Sequence, residues 1–168
     1  FLASIGGSVF GKSPKALTTN NKSIYRTGLT FETDVKNIGD KTVVELTSKQ
    51  KFDRKTGEII TSKYADSNLL ATFHKNGNLY INWYSTTVNG KGVSTDMISR
   101  VIEEIKKKKV LSISAEMGHT NWDVFNRNLG GGMSPIQAIW QTPLGKSMSS
   151  LGYKNVTRDS YRNVTFKK

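Results

Sequence analysis

Residues 85–105 read STTVNGKGVSTDMISRVIEEI, and the character of the chain changes inside them. Before them, apolar residues alternate. After Gly92 they fall at helical spacing: Val93, Met97, Val101 and Ile105 recur every four residues, with Ile98 and Ile102 beside them, which makes one apolar helix face. Ser94 or Thr95 can cap the start, Asp96 suits the positive end of the helix dipole, and Lys106 to Lys109 suit the negative end. Between strand and helix lies Val88-Asn89-Gly90-Lys91-Gly92. Glycine lets the backbone approach a ligand, and the N–H groups that open a helix are unpaired and positively polarised. A diphosphate can therefore rest on the amides of Gly90, Lys91, Gly92 and Val93. The spacing is neither the P-loop pattern nor the three-glycine dinucleotide fingerprint. An ordinary capped turn has the same composition.

Upstream, the chain reads as β. KTVVELTSKQKF (41–52) has strand composition, DRKTGE (53–58) is a turn, and IITSKY (59–64) returns. NLLATFHK (68–75) meets NLYINWYST (78–86) across Asn76-Gly77, a strong hairpin signal. In the second strand Leu79, Ile81 and Trp83 are predicted on one face, and Tyr80, Asn82 and Tyr84 on the other. Residues 41–86 thus form an antiparallel meander. SIYRTGLTF (23–31) reads as a strand or the approach to one, and ETDVKNIGDK as a short helix or turn ending near Gly39. Residues 1–22, rich in Gly, Ser, Thr, Asn and Lys, read as an arm or linker joining a larger parent chain, ahead of a single catalytic domain at 23–168.

Downstream, VLSISAEM (110–117) is a short strand and TNWDVFNRNLG (120–130) a helix ending at Gly130. One or two short helices separated by Pro143 follow, then a closing hairpin in KNVTRDSYRNVTFKK. The class is α+β: a mixed, mostly antiparallel central sheet with flanking helices.

Composition narrows the chemistry. There is no cysteine, so disulfides, a thiol nucleophile and thiolate metal sites are excluded. His74 and His119 are the only histidines, too few for a multi-histidine metal site. No apolar run suggests a membrane partner. Twenty-five Lys and Arg against 13 Asp and Glu give a net charge of +12, which favours a polyanionic partner.

The order of meander, Gly-x-Gly loop, helix and strand resembles the GNAT family of N-acetyltransferases. In that family the pyrophosphate of acetyl-CoA sits on a loop of pattern Gln/Arg-x-x-Gly-x-Gly/Ala followed by a helix. Here the matching stretch is Thr87-Val88-Asn89-Gly90-Lys91-Gly92, with Thr87 in place of Gln or Arg. Asn121 matches an Asn that often begins the last helix, and Leu151-Gly152-Tyr153 matches its Gly-Phe end with Tyr in place of Phe. The resemblance spans roughly 41–168. It departs in lacking a clear helix pair within 1–40, in placing Asn128 or Met148 where a tyrosine acid is usual, and in an insert at about 131–143.

The resemblance implies that two central strands splay, that the cofactor arm enters the gap, and that a freed backbone N–H near Ser85 or Thr86 polarises the thioester carbonyl. It implies a cofactor site at Ser85, Thr86, Thr87, Val88, Asn89, Gly90, Lys91, Gly92 and Val93, with Asn121 directed at the cofactor arm. Acetyl transfer also needs a base for the amine and a proton donor. Glu116, ending the strand beside the splay, is the candidate base; Tyr84 and Ser114 are candidate relays or donors. Histidine is also a residue type suited to acid–base work, which adds His119. Each has a plainer alternative: a solvent-facing strand end for Glu116, packing for Tyr84, a helix cap for Asn121, a surface loop for His119.

Two rival readings remain. Arg26, Ser85-Thr86 and Glu116 occur in the order of the arginine-type ADP-ribosyltransferases, which use NAD, but Thr87 stands where Ser is usual and Ser114 where Gln or Glu is usual. The charge, with Trp83, Trp122 and Trp140, also suits a nucleic-acid binder or ribonuclease. A small, basic, cysteine-free domain behind a Gly/Ser-rich junction is similar to the C-terminal toxins of bacterial secreted systems, delivered into a target cell's cytoplasm. The expected function is acetyl transfer from acetyl-CoA to an amine on a macromolecule such as aminoacyl-tRNA. The expected partners are that RNA or an acidic immunity protein, with no metal.

Overall fold

The computed structural model describes residues 29–52, 55–56, 59–60, 67–86, 92–159 and 161–168. The expected arm at 1–22 lies outside them, as do Arg26 and Thr87, Val88, Asn89, Gly90 and Lys91. The strands are β1 (Leu29–Ile38), β2 (Lys41–Phe52), β3 (Ile59–Ile60), β4 (Asn68–Phe73), β5 (Asn78–Ser85), β6 (Ser112–Glu116), β7 (Asn155–Arg158) and β8 (Asn163–Lys167). The helices are α1 (Val93–Glu104), α2 (His119–Gly130), α3 (Pro135–Trp140) and α4 (Pro143–Ser150). One sheet runs β1-β2-β4-β5-β6-β8-β7, with β3 beside β2. Every pairing is antiparallel except β5 with β6. The class is therefore α+β on a mostly antiparallel sheet.

The expected meander forms, and it extends further back than its sequence suggests. Residues 32–38, predicted as a helix or turn, are strand. Their strand, β1, pairs along β2 from Leu29↔Lys51 to Ile38↔Lys41, and Gly39, at φ 62°, turns the hairpin. Thr33, Val35 and Ile38 tolerate extended backbone, and ten paired residues outweigh a weak local helix preference.

One sheet face is buried, through Val44, Leu46, Leu69, Ala71, Leu79, Ile81, Ile113, Ala115, Val164 and Phe166. α1 packs on β1, β2 and β4 there, and the four helices touch one another as a single layer. Val93, Met97, Ile98, Val101 and Ile105 of the predicted stripe are fully buried. The helix ends at Glu104, so Lys106 to Lys109 lie beyond its last turn.

The alternation predicted for β5 breaks. Leu70 faces Trp83 while Ala71 faces Ile81, so Asn82 is an extra residue, a β-bulge. One inserted residue inverts every later side chain. Tyr84 turns onto the core face opposite Leu69, and Trp83, predicted beside Ile81, is 46% exposed.

The 131–143 segment earns its place by packing. Ser134 and Gln137 close a capping box on α3, which buries Ala138 and Ile139, while Trp140 meets Phe166 edge-on at 5.4 Å. Thr142 caps α4: its Oγ1 donates to Ile139 O (2.6 Å) and accepts from Gly145 N (3.0 Å). At Gly145 a Cβ would sit 2.1 Å from Ile139 O and 2.8 Å from Trp140 Cα, both backbone atoms. Gly145→Ala is therefore expected to lower the free energy of unfolding by about 1–3 kcal/mol or more. Gly130→Ala, where nothing lies within 4 Å, should stay within about 0.5 kcal/mol of the parent. Urea midpoints for the two variants check the contrast.

Candidate functional site

β5 and β6 pair only over Asn78–Ile81 and Ser112–Ala115. β6 ends at Glu116, whereas β5 continues to Ser85 beside β4. Past the bulge the two parallel strands part, and a cleft of about 500 Å³ opens between their C-terminal ends. Ile81, Asn82, Trp83, Tyr84 and Thr86 line one side, and Ala115 and Glu116 the other.

Three helix N-termini meet at this cleft: Gly92, Val93 and Ser94 of α1, Gly118 to Asn121 of α2, and Pro143 of α4. Gly92 adopts φ 83°, a left-handed conformation open to glycine, and is the N-cap of α1 with no side-chain cap. The predicted caps, Ser94 and Thr95, turn sideways instead: both hydroxyls meet Ser147 Oγ, at 3.1 and 2.9 Å, and tie α1 to α4. Gly118 likewise carries no side-chain cap on α2. Polarised N–H groups of α1 and α2 thus face the cleft, the electrostatic environment an anionic group seeks.

Asn121 ties the site together, and as a bridge rather than as the helix cap considered for it. It is buried, its Oδ1 accepts from Leu144 N (2.8 Å), and its Nδ2 donates to the Tyr84 hydroxyl (3.1 Å). Burial raises the Tyr84 hydroxyl above the ordinary tyrosine value of 10.0, while the Asn121 hydrogen bond pulls it down. Tyr84 therefore keeps its proton at neutral pH, beside the cleft.

The predicted site residues divide. Glu116, Tyr84, Thr86, Gly92, Val93 and Asn121 come together on the cleft. Ser85 is exposed and does not line it. Ser114 lies away from it, its Oγ held by Asn78 Oδ1 (3.0 Å) and Thr165 Oγ1 (2.8 Å). His119, weighed as a loop residue, is the first residue of α2 and lines the cleft with Glu116. Asn82 and Pro143 were not foreseen as lining residues; Pro143 at a helix start was the one available signal. Among the described residues no helix is long and apolar enough to cross a membrane, and no group of three or more His, Asp or Glu could hold a metal ion.

No protein-family model matches this chain, and no curated protein matches it.

Two outcomes test the Asn121 bridge. Asn121→Ala strands the Leu144 amide and should cost about 1–3 kcal/mol in urea unfolding. The folded state also holds the Tyr84 proton more tightly than the unfolded chain. That stability is complete below about pH 10 and is lost as pH rises through the folded-state value. Tyr84→Phe removes this alkaline loss, so its stability gap to the parent should narrow above pH 10; Tyr153, raised by burial, and Lys36, raised by its hydrogen bond to Asp34, leave a residual slope in both proteins.

Proposed function

We propose that this protein is a GNAT-like N-acetyltransferase that uses acetyl-CoA to acetylate an amine on a macromolecular acceptor, acting as a toxin on a substrate such as aminoacyl-tRNA. The observation that carries the reading is the parting of the parallel β5–β6 pair, with the uncapped N-terminus of α1 at one end of the gap. The GNAT resemblance implies that gap for the cofactor arm and that helix start for its pyrophosphate. The strand order agrees with this reading: a meander feeds β5, α1 crosses to the parallel β6, and α2 precedes the closing hairpin. A cleft of about 500 Å³ is within the range of cofactor pockets.

Acetyl-CoA supplies an activated acyl thioester. The residues on the cleft supply the rest. The uncapped amides at Val93 and Ser94 bind phosphate. The β5 backbone beyond Ile81, without a β6 partner in the ladder, offers N–H groups for a developing oxyanion. Tyr84 Oη holds a proton for the departing sulfur, and Glu116, exposed at the end of β6, accepts the proton of the incoming amine. Ser114, remote from the cleft, has no part in this. The ADP-ribosyltransferase reading draws less support, because Ser85 lies off the cleft that Glu116 lines.

In a thermal-shift experiment acetyl-CoA should raise the melting temperature and NAD should not. A shift with NAD alone would sink the proposal. Tyr84→Phe should lower kcat by about 10²-fold or more with little change in KM for acetyl-CoA.

A further inference from the structure

We propose that Arg158, Tyr161 and Arg162, with the face of α2 beneath them, form a platform for a single-stranded nucleotide segment. Four side chains build it over the buried Phe125. Tyr161 is 69% exposed, and its ring lies 4.7 Å from that of Trp122. The Arg162 guanidinium stacks over both, 4.9 Å from Trp122 and 5.4 Å from Tyr161. Arg158 lies 5.3 Å over Phe125 and donates from Nη1 to Tyr161 O (2.8 Å).

A purely structural cluster would bury its aromatic rings, as Phe125 is buried. Tyr161 instead leaves most of its surface in water while an arginine holds it. Asp159 beside Arg158 and Asp123 beside Trp122 are exposed, yet neither arginine forms a salt bridge among the described residues. An open ring flanked by two unneutralised guanidiniums matches a base with its adjoining phosphates: stacking for the base, bidentate charge for the phosphate. The net charge of +12 draws such a polyanion in. An acidic peptide would satisfy the arginines but make no use of the exposed ring.

The platform borders the cleft. Met117 N donates to Arg162 O (2.9 Å), Glu116 faces Asn163 across the β6–β8 ladder, and Trp122 follows Asn121. A strand stacked on Tyr161 would thus bring its end to Glu116. That consequence rests on the acetyltransferase reading; the binding does not.

The test is fluorescence anisotropy with labelled RNA and DNA oligomers of about eight nucleotides, read across a salt series without acetyl-CoA. The parent should bind, and Tyr161→Ala should weaken binding about 5- to 100-fold. Tyr161→Phe, which keeps the ring, should restore it. Arg158→Gln and Arg162→Gln should each flatten the slope of log K against log salt by about 0.7, whereas Lys107→Ala, beyond the end of α1, should leave affinity and slope near the parent. Equal binding by Tyr161→Ala, a loss with Lys107→Ala as large as with Arg162→Gln, or displacement by poly-glutamate at equal charge concentration would each overturn the platform. No oligomer binding with an intact acetyl-CoA thermal shift overturns the platform alone. Tyr161-dependent binding without that shift overturns only the acetyltransferase reading.

Discussion

The molecule is organised around a parallel strand pair that stays together for only four residues on each side. Parallel neighbours need a crossover, and here α1 supplies it. A crossover helix begins near the C-terminal end of the strand it leaves, so its positive end comes to where β5 finishes. The Asn82 bulge falls at the same level, directly after Ile81, the last β5 residue paired with β6. Ladder, bulge and dipole together produce a cleft with free strand edge on one wall and polarised amides at its mouth.

Buried polar contacts then hold the cleft's walls in one arrangement. Asn121 joins α2 to the start of α4 and to Tyr84 on β5. Thr95 and Ser94 join α1 to α4 through Ser147, and Thr142 joins α3 to α4. A satisfied polar bridge in a low-dielectric interior is directional in a way that apolar packing is not. The Asn121 and Ser147 bridges each set the relative position of elements that line the cleft, and the Thr142 bridge anchors α4, whose Pro143 lines it, to α3. Removal of one partner leaves a desolvated group behind, which is why such sites tolerate little change.

The sheet's other face is polar in its centre. Asn78 Oδ1 accepts from Ser112 and Ser114, Ser114 meets Thr165, and Thr72 donates to Asn82. These residues alternate with the buried ones along the same strands, so β6 delivers Ala115 to the cleft and Ser114 to this network. A short hydroxyl-bearing strand beside a cleft thus reads as catalytic by proximity, while the pleat sends its serines to the opposite side.

Most of the architecture was legible in the order of the amino acids. Local signals carried it: Asn76-Gly77 turned the β4–β5 hairpin, the four-residue apolar spacing after Gly92 made α1, and Pro143 separated α3 from α4. Those features act over a few residues, so they survive without tertiary context. The remainder was set by pairing and packing between elements. The β2 ladder drew residues 32–38 into a strand, and the register slip at Asn82 exchanged the positions of Trp83 and Tyr84. Burial across elements turned Asn121 from a helix cap into a bridge and took Ser94 and Thr95 to Ser147. Each of these depends on a partner in another element, from 3 residues away at Ile38↔Lys41 to 53 at Ser94–Ser147, and no local periodicity encodes such a partner.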